Sequence, residues 1–258
     1  MDHVASFVTG MSTSTDIFDN EKYKFSDNLL NYYEYMKKND VFASYAVVPP
    51  QAARNPEFYQ KRNLPIPTLS VVSENDKGVV ISGMKMLATS AIFANEIWIG
   101  NLIPLAPDQV KQSITCAIPC NSNGLSLWMR QPLSNHYDNQ FDAPLSWNQD
   151  ETDVLVMCDK VLVPWERIFV KDDAIQAREI YFKTPAHCYG NHQSNVRYWS
   201  KMELIVGLCY KVAKATGADE VPAVRETLGK MSALESTLSG MIYGQIENAV
   251  NWPKNFKT

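Results

Sequence analysis

Residues 77–101, KGVVISGMKMLATSAIFANEIWIGN, hold two short runs rich in β-branched and aromatic residues, 77–83 and 95–101, with Lys85 to Ser90 between them. Runs of this length, bounded by Gly, Asn and Asp, read as strands. The same pattern extends from Ala43 to about Val170: ASYAVV (43–48), PTLSVVS (67–73), SITCAI (113–118), GLSLWM (124–129), DVLVMC (153–158) and KVLVP (160–164), spaced by Pro, Asn, Asp and Gly. An antiparallel barrel or sandwich is the expectation.

On either side the apolar period becomes helical. SDNLLNYYEYMKK (26–38) has Ser26 as a capping residue, apolar or aromatic positions at Leu29, Leu30, Tyr33 and Met36, and two lysines at the far end. After Pro164 and Trp165 the helical period returns over 172–183 and 194–215, with Gly217 as a C-cap. Pro222 restarts a helix whose apolar face reaches about Val250. Three regions follow: a helical remnant over 1–42, a β-domain over 43–170, and the first part of a helical bundle over 171–258. An apolar face that runs so near the last residue needs a partner, so the chain is expected to be incomplete or obligately oligomeric.

The 258 residues are 45% hydrophobic and 20% charged, an ordinary globular composition, and 24 basic against 28 acidic side chains give a net charge of −4. That charge excludes the basic field nucleic acid requires. No apolar run approaches the roughly 18 residues that span a bilayer, and residues 1–20 lack the pattern of a secretory signal. Five scattered cysteines, an odd number, point to a reducing cytoplasm.

Chemistry is constrained first by absences. No two of the eleven glycines form a GxG pair, and neither GxSxG nor HExxH occurs. Cys116 and Cys120, and His187, Cys188 and His192, lack the tight repeated spacing of a zinc site, so no metal is expected. His3, His136 and His192 read as surface or hydrogen-bonded structural histidines. Asp150, Glu151 and Asp153 read as a solvated turn feeding a strand, its acids capping backbone N–H groups. Thr89 and Ser90 end a strand with two hydroxyls in a row, which either donate to a ring heteroatom of a bound flavin or satisfy a turn.

Four segments in register carry a resemblance: Tyr45 to Arg54 (YAVVPPQAAR), Gly83 to Ser90 (GMKMLATS), Pro144-Leu145-Ser146 with Asp150-Glu151-x-Asp153, and Val163-Pro164-Trp165-Glu166. In order and spacing they resemble the oxygenase component of 4-hydroxyphenylacetate 3-monooxygenase, and Gln193-x2-Val196-Arg197-x3-Lys201 and Ala215-Thr216-Gly217 agree. The resemblance implies an α+β, acyl-CoA-dehydrogenase-like fold, with a central antiparallel β-barrel flanked by incomplete N- and C-terminal helical domains in a homotetramer. It implies FAD delivered as FADH2 by a separate flavin reductase, O2 as co-substrate, a flavin C4a-hydroperoxide, and hydroxylation of a phenolic substrate ortho to its hydroxyl.

Carried over by position, Gln51, Ala52, Ala53 and Arg54 would line the flavin, and Ala88, Thr89 and Ser90 would touch its ring. Tyr45 stands where the family has a histidine that binds the phenol beside the flavin. A tyrosine still donates a hydrogen bond, but its pKa near 10 makes it a poorer proton shuttle at neutral pH. His3 and Asn101 fall at substrate-contacting positions. Asp2-His3 match the tail of the family's Arg-x-Pro-Asp-Tyr segment, so the arginine that would pair with a substrate carboxylate lies before Met1, and a chain truncated at both ends is expected. Two other readings stand beside this one. A non-catalytic remnant of the family would turn nothing over. The related 4-hydroxybutyryl-CoA dehydratase needs a histidine and a cysteine where Gln193 and Ser200 stand, so its iron–sulfur cluster has no ligands on that segment.

Overall fold

The structure is a computed structural model and describes residues 3–149, 152–252 and 256–257. These fall into two compact units, 3–186 and 187–257.

The first unit opens with α1 (His3–Met11) and α2 (Ser26–Asn39). The sequence suggests Ser26 as the cap of α2, but it does not cap the helix. Phe25 is the N-cap and makes no side-chain cap bond, while Asp19, seven residues upstream, accepts from Ser26 N at 3.0 Å and Ser26 Oγ at 3.2 Å. A carboxylate there satisfies an orphan donor and faces the positive end of the helix. Lys37 and Lys38 occupy the last turn.

Eight strands make two four-stranded sheets. In the first, β1 (Ala43–Ala46), β4 (Glu96–Ile99), β5 (Thr115–Pro119) and β8 (Ile168–Val170) lie in that order. The second orders β2 (Ser70–Asn75), β3 (Gly78–Lys85), β7 (Val154–Pro164) and β6 (Leu125–Met129), all antiparallel. These are two open sheets where one closed barrel is expected. The antiparallel expectation also fails at one pair, since β1 runs parallel to β4, Ala43 opposite Glu96 and Ala46 opposite Ile99. The runs at 153–158 and 160–164 fall in one strand, β7, which starts at Val154 and passes through Lys160 with a φ of 54°. All four residues of β4 are buried, as a strand covered on both faces must be. The core centres on Trp98, stacked on Phe169 at 4.7 Å, with Tyr32 of α2 against both rings. Two short helices, α3 (Pro56–Gln60) and α4 (Pro144–Asn148), lie in connections, and α5 (Gln176–Phe182) closes the unit with Ala177, Ile180 and Tyr181 buried.

The second unit is a helix pair. α6 (Ala186–Thr216) begins in the first unit and ends at Gly217, which takes a left-handed φ of 73°. Pro222 starts α7 (Pro222–Glu247), and two-residue strands β9 (Asn251–Trp252) and β10 (Phe256–Lys257) follow. Trp199 Nε1 donates to Glu235 Oε1 at 2.6 Å between the helices. Large apolar side chains stay in the open on both: Leu208 is 53% exposed, Leu234 63% and Met241 61%. No described helix is long and apolar enough to cross a membrane.

Candidate functional site

Past Ala46 the chain runs beside the segment leaving β3. Met86 N donates to Val48 O at 2.9 Å in an antiparallel bridge, and the buried Ser44 Oγ donates to Thr89 O at 2.7 Å. Two candidate stretches 40 residues apart in sequence are thereby neighbours. Leu87 and Ser90 both adopt left-handed backbone, with φ of 62° and 61°. For residues with a Cβ this costs roughly 1–2 kcal/mol each, and such strain persists where surrounding contacts fix it. The fixing contacts are Ala88 N to Val154 O and Ser90 N to Thr152 O, both 3.0 Å, at the start of β7. The resulting turn buries Ala88 and leaves Thr89 exposed. Thr89 Oγ1 donates to Asp153 Oδ1 at 2.7 Å, so Asp153 accepts from a hydroxyl there. Asp150 and Glu151, like Asp2, lie outside the described residues.

Tyr45 is half-buried on β1, and His3 stacks on its ring at 5.0 Å, 19° from parallel. Phe7 meets His3 edge-on at 4.5 Å and Tyr45 at 5.9 Å, and reaches Tyr181 at 5.3 Å. Tyr181 is buried, and its Oη accepts from Trp98 Nε1 at 3.0 Å. Gly100 leaves room for that hydroxyl, since a Cβ there would lie 2.4 Å from Tyr181 Oη. The two substrate candidates His3 and Tyr45 are thus in ring contact against an aromatic wall.

Gln51–Arg54 forms a single 3-10 turn with Gln51, Ala52 and Arg54 exposed and Ala53 half-buried. Ala53 and Arg54 line a pocket of about 510 Å3 together with Lys85 and Asn101. Asn101, 3% exposed, commits both ends of its amide internally: Oδ1 accepts from Lys85 Nζ at 2.8 Å, and Nδ2 donates to Gln112 O and Ile114 O at 3.0 and 3.2 Å. The candidates therefore form three neighbouring groups, Tyr45 with His3, Thr89 with Ser44 and Asp153, and Arg54 with Asn101. Tyr45, Gln51 and Thr89 do not line the Arg54 pocket.

Lys85, Trp98 and Tyr181 carry no motif that marks them as site residues. Alternation along β3 carries the signal for the first, because Lys85 shares its face with Val79 and Ile81, both fully buried. Its Nζ donates to Gly100 O at 3.0 Å as well as to Asn101, and burial pushes the ammonium down to about 8. Burial also pushes up two thiols, Cys158 to about 12 and Cys120 to about 11. Among the described residues, no three of His, Cys, Asp and Glu gather as a metal site.

Residues 1–170 match the family described as 4-hydroxyphenylacetate 3-hydroxylase N terminal, and residues 177–257 match 4-hydroxyphenylacetate 3-hydroxylase C terminal. Among curated relatives, the 4-hydroxyphenylacetate 3-monooxygenase oxygenase component of Thermus thermophilus is 31% identical over 232 residues, 89% of this chain and 46% of the relative. The oxygenase component of 4-nitrophenol 4-monooxygenase/4-nitrocatechol 2-monooxygenase from Rhodococcus opacus is 30% identical over 214 residues, 83% of this chain and 39% of the relative. A crystal structure of the oxygenase component of 4-hydroxyphenylacetate 3-monooxygenase, complexed with FAD and 4-hydroxyphenylacetate, superposes with a TM-score of 0.86 at 28% identity, covering 99% of this chain and 52% of that one. The chain spans about half the length of the curated relatives it matches. Matched along nearly all its residues and sharing the same acyl-CoA-dehydrogenase-like mixture of helices and sheets, the chain belongs to the 4-hydroxyphenylacetate 3-hydroxylase family.

Proposed function

We propose that this chain carries the flavin-handling and phenol-handling part of an oxygenase component that takes FADH2 from a separate flavin reductase and uses O2 to hydroxylate a phenol ortho to its hydroxyl. The observation that carries the reading is the pairing of the β1 extension with the Lys85–Ser90 segment, through Ser44 to Thr89 and Val48 to Met86. It sets Tyr45 beside the strained turn that presents Thr89.

The donor set there fits a reduced isoalloxazine. Thr89 gives its own proton to Asp153, which leaves its oxygen as an acceptor for a ring N–H. Ala88 and Ser90 are held on either side, and the small, exposed Gln51–Arg54 turn offers an amide and a guanidinium near a ring edge or phosphate. Bound there, reduced flavin supplies the activation of O2. Tyr45, stacked on His3, would hold the phenol by its ring and hydroxyl against the dry wall of Phe7 and Tyr181, which excludes water from the reacting face. The exposed apolar side chains of α6 and α7 support assembly into a homotetramer in the complete form, and five free cysteines support a reducing cytoplasm.

The test is direct. The chain is mixed anaerobically with reduced FAD and 4-hydroxyphenylacetate, O2 is admitted, and products are read by mass spectrometry. Gain of one oxygen at the ring position ortho to the hydroxyl supports the reading. Tight flavin binding with no hydroxylated product from any phenol tried would refute it.

A further inference from the structure

The strained turn is gripped at three consecutive residues by the chain entering β7. Ala88 N donates to Val154 O and Ser90 N to Thr152 O, both at 3.0 Å, and between them the Thr89 hydroxyl donates to Asp153 Oδ1 at 2.7 Å. Asp153 is itself held by its main chain, where Arg130 N, just past the end of β6, donates to Asp153 O at 3.1 Å. Ser44 Oγ holds the main chain of Thr89 from β1. These contacts fix the turn without the Thr89 side chain, so the bond to Asp153 adds something different, a direction for the hydroxyl. A threonine hydroxyl has one proton and two lone pairs, and a carboxylate accepts only. With its proton on Asp153, Thr89 has lone pairs left to offer and no donor. The bond is solvent-exposed in the free chain, and a ring laid over it would exclude water and strengthen it.

We propose that Asp153 is a positioning residue which, by holding the Thr89 hydroxyl as an acceptor, makes this turn discriminate reduced from oxidised flavin. Reduced isoalloxazine carries a hydrogen on N5 and can donate it to the Thr89 oxygen. Oxidised isoalloxazine has a bare N5, so two acceptors would meet with no proton between them. Released from Asp153, the same hydroxyl is free to rotate and donate to the bare nitrogen, and the distinction shrinks. The charge of the carboxylate acts in the opposite sense, because reduced flavin is the more negative state at neutral pH and Asp153 repels it. A preference lost with the carboxylate therefore reports the hydroxyl and not the charge. The inference rests on the flavin reading and goes one step past it, from the residues that meet the ring to the redox state they favour. A turn built this way takes up flavin that arrives reduced and releases it once oxidised.

The experiment titrates the full chain with FAD and, anaerobically, with reduced FAD, and reads the ratio of the two dissociation constants. The same ratio sets how far binding raises the two-electron potential of the flavin, about 30 mV for each tenfold, which spectroelectrochemistry checks independently. Wild type should bind reduced FAD about tenfold or more tightly than FAD. Thr89→Val, similar in shape and without the hydroxyl, should lose most of that ratio, and Thr89→Ser should keep it within about twofold. Asp153→Asn should cut the ratio about five- to tenfold when Thr89 is present and should not lower it in the Thr89→Val background. That coupling separates an effect through the hydroxyl from one of charge or of folding. Asp153→Ala is the second variant, should the amide disturb the turn, and its ratio should fall likewise. A ratio unchanged or raised in both Asp153 variants, or lowered equally with and without the Thr89 hydroxyl, would overturn the proposal. Flavin bound with a preference indifferent to all these substitutions overturns this inference alone, whereas a chain that binds flavin in neither state defeats the flavin reading with it.

Discussion

Replacing Lys85 with methionine should change how stability depends on pH as well as how large it is, and the pH dependence isolates the buried charge. Burial holds the folded ammonium at about 8, against 10.5 for an ordinary lysine. The folded value is the lower one, so between about pH 8 and pH 10.5 the unfolded chain binds more protons, and this residue's contribution to stability rises with pH through that window. One unit corresponds to about 1.4 kcal/mol, so the full gap is worth roughly 3 kcal/mol, of which about 2–3 kcal/mol falls between about pH 7 and pH 10. The buried acids act in the opposite sense. Cys116, Cys120, Cys158 and Tyr181 are all raised by burial, and stability falls as pH climbs past their unfolded values. A raw pH profile therefore mixes both effects, and only the difference between wild type and Lys85→Met isolates the lysine. The variant also leaves Gly100 O and Asn101 Oδ1 short of a donor, roughly 1–3 kcal/mol each, but that loss is the same at every pH and cancels. Urea unfolding at the two pH values should show the variant losing about 2–3 kcal/mol relative to wild type on going from pH 7 to pH 10. An offset equal at both within about 0.5 kcal/mol would refute the claim that Lys85 sits charged with no counter-ion among the described residues.

Ser44→Ala removes the hydroxyl that holds Thr89 O, which should lower stability by about 0.5–1.5 kcal/mol and weaken flavin binding by about two- to tenfold, measured by urea unfolding and anaerobic fluorescence titration; unchanged flavin affinity would detach the turn from the site. Tyr181→Phe strands the buried Trp98 N–H and should cost about 1–3 kcal/mol in the same unfolding assay, so a loss under about 0.5 kcal/mol would mean that the pair is not made in solution. Tyr45→Phe keeps the stacking on His3 and loses only the hydroxyl, so phenol affinity should fall several-fold while flavin affinity holds; equal losses in both titrations would make Tyr45 a structural residue.

The fold was legible where side-chain period reports a local environment. β4 and β6 sit within the runs that announce them, β3 begins in its run and continues two residues past it to Lys85, and Pro222 and Gly217 punctuate the helices as their backbone preferences dictate. What was illegible depends on partners distant in sequence. The parallel pairing of β1 with β4 joins residues some 50 positions apart, and no local pattern encodes its direction. β8, three residues long, is too short to show a period. Lys160, in a left-handed conformation within β7, looks like a break between two strands because a charged residue beside Asp159 interrupts the apolar run. At α2, Ser26 has the right residue type for a cap, yet Asp19 reaches in from an earlier turn and uses it as a donor instead. In the site, family resemblance pointed to Tyr45, Thr89 and Arg54. It did not reveal that Asn101 is occupied with Lys85, because that depends on which face of β3 turns inward.

Hydrogen–deuterium exchange with and without reduced FAD, under anaerobic conditions, tests most directly whether the β1 extension and the strained turn form the flavin site. Backbone amides of residues 44–54 and 86–90 should gain protection, and Thr89→Ala should diminish it within 86–90 first. Protection confined to other segments, or none at flavin concentrations that saturate the chain, would contradict it.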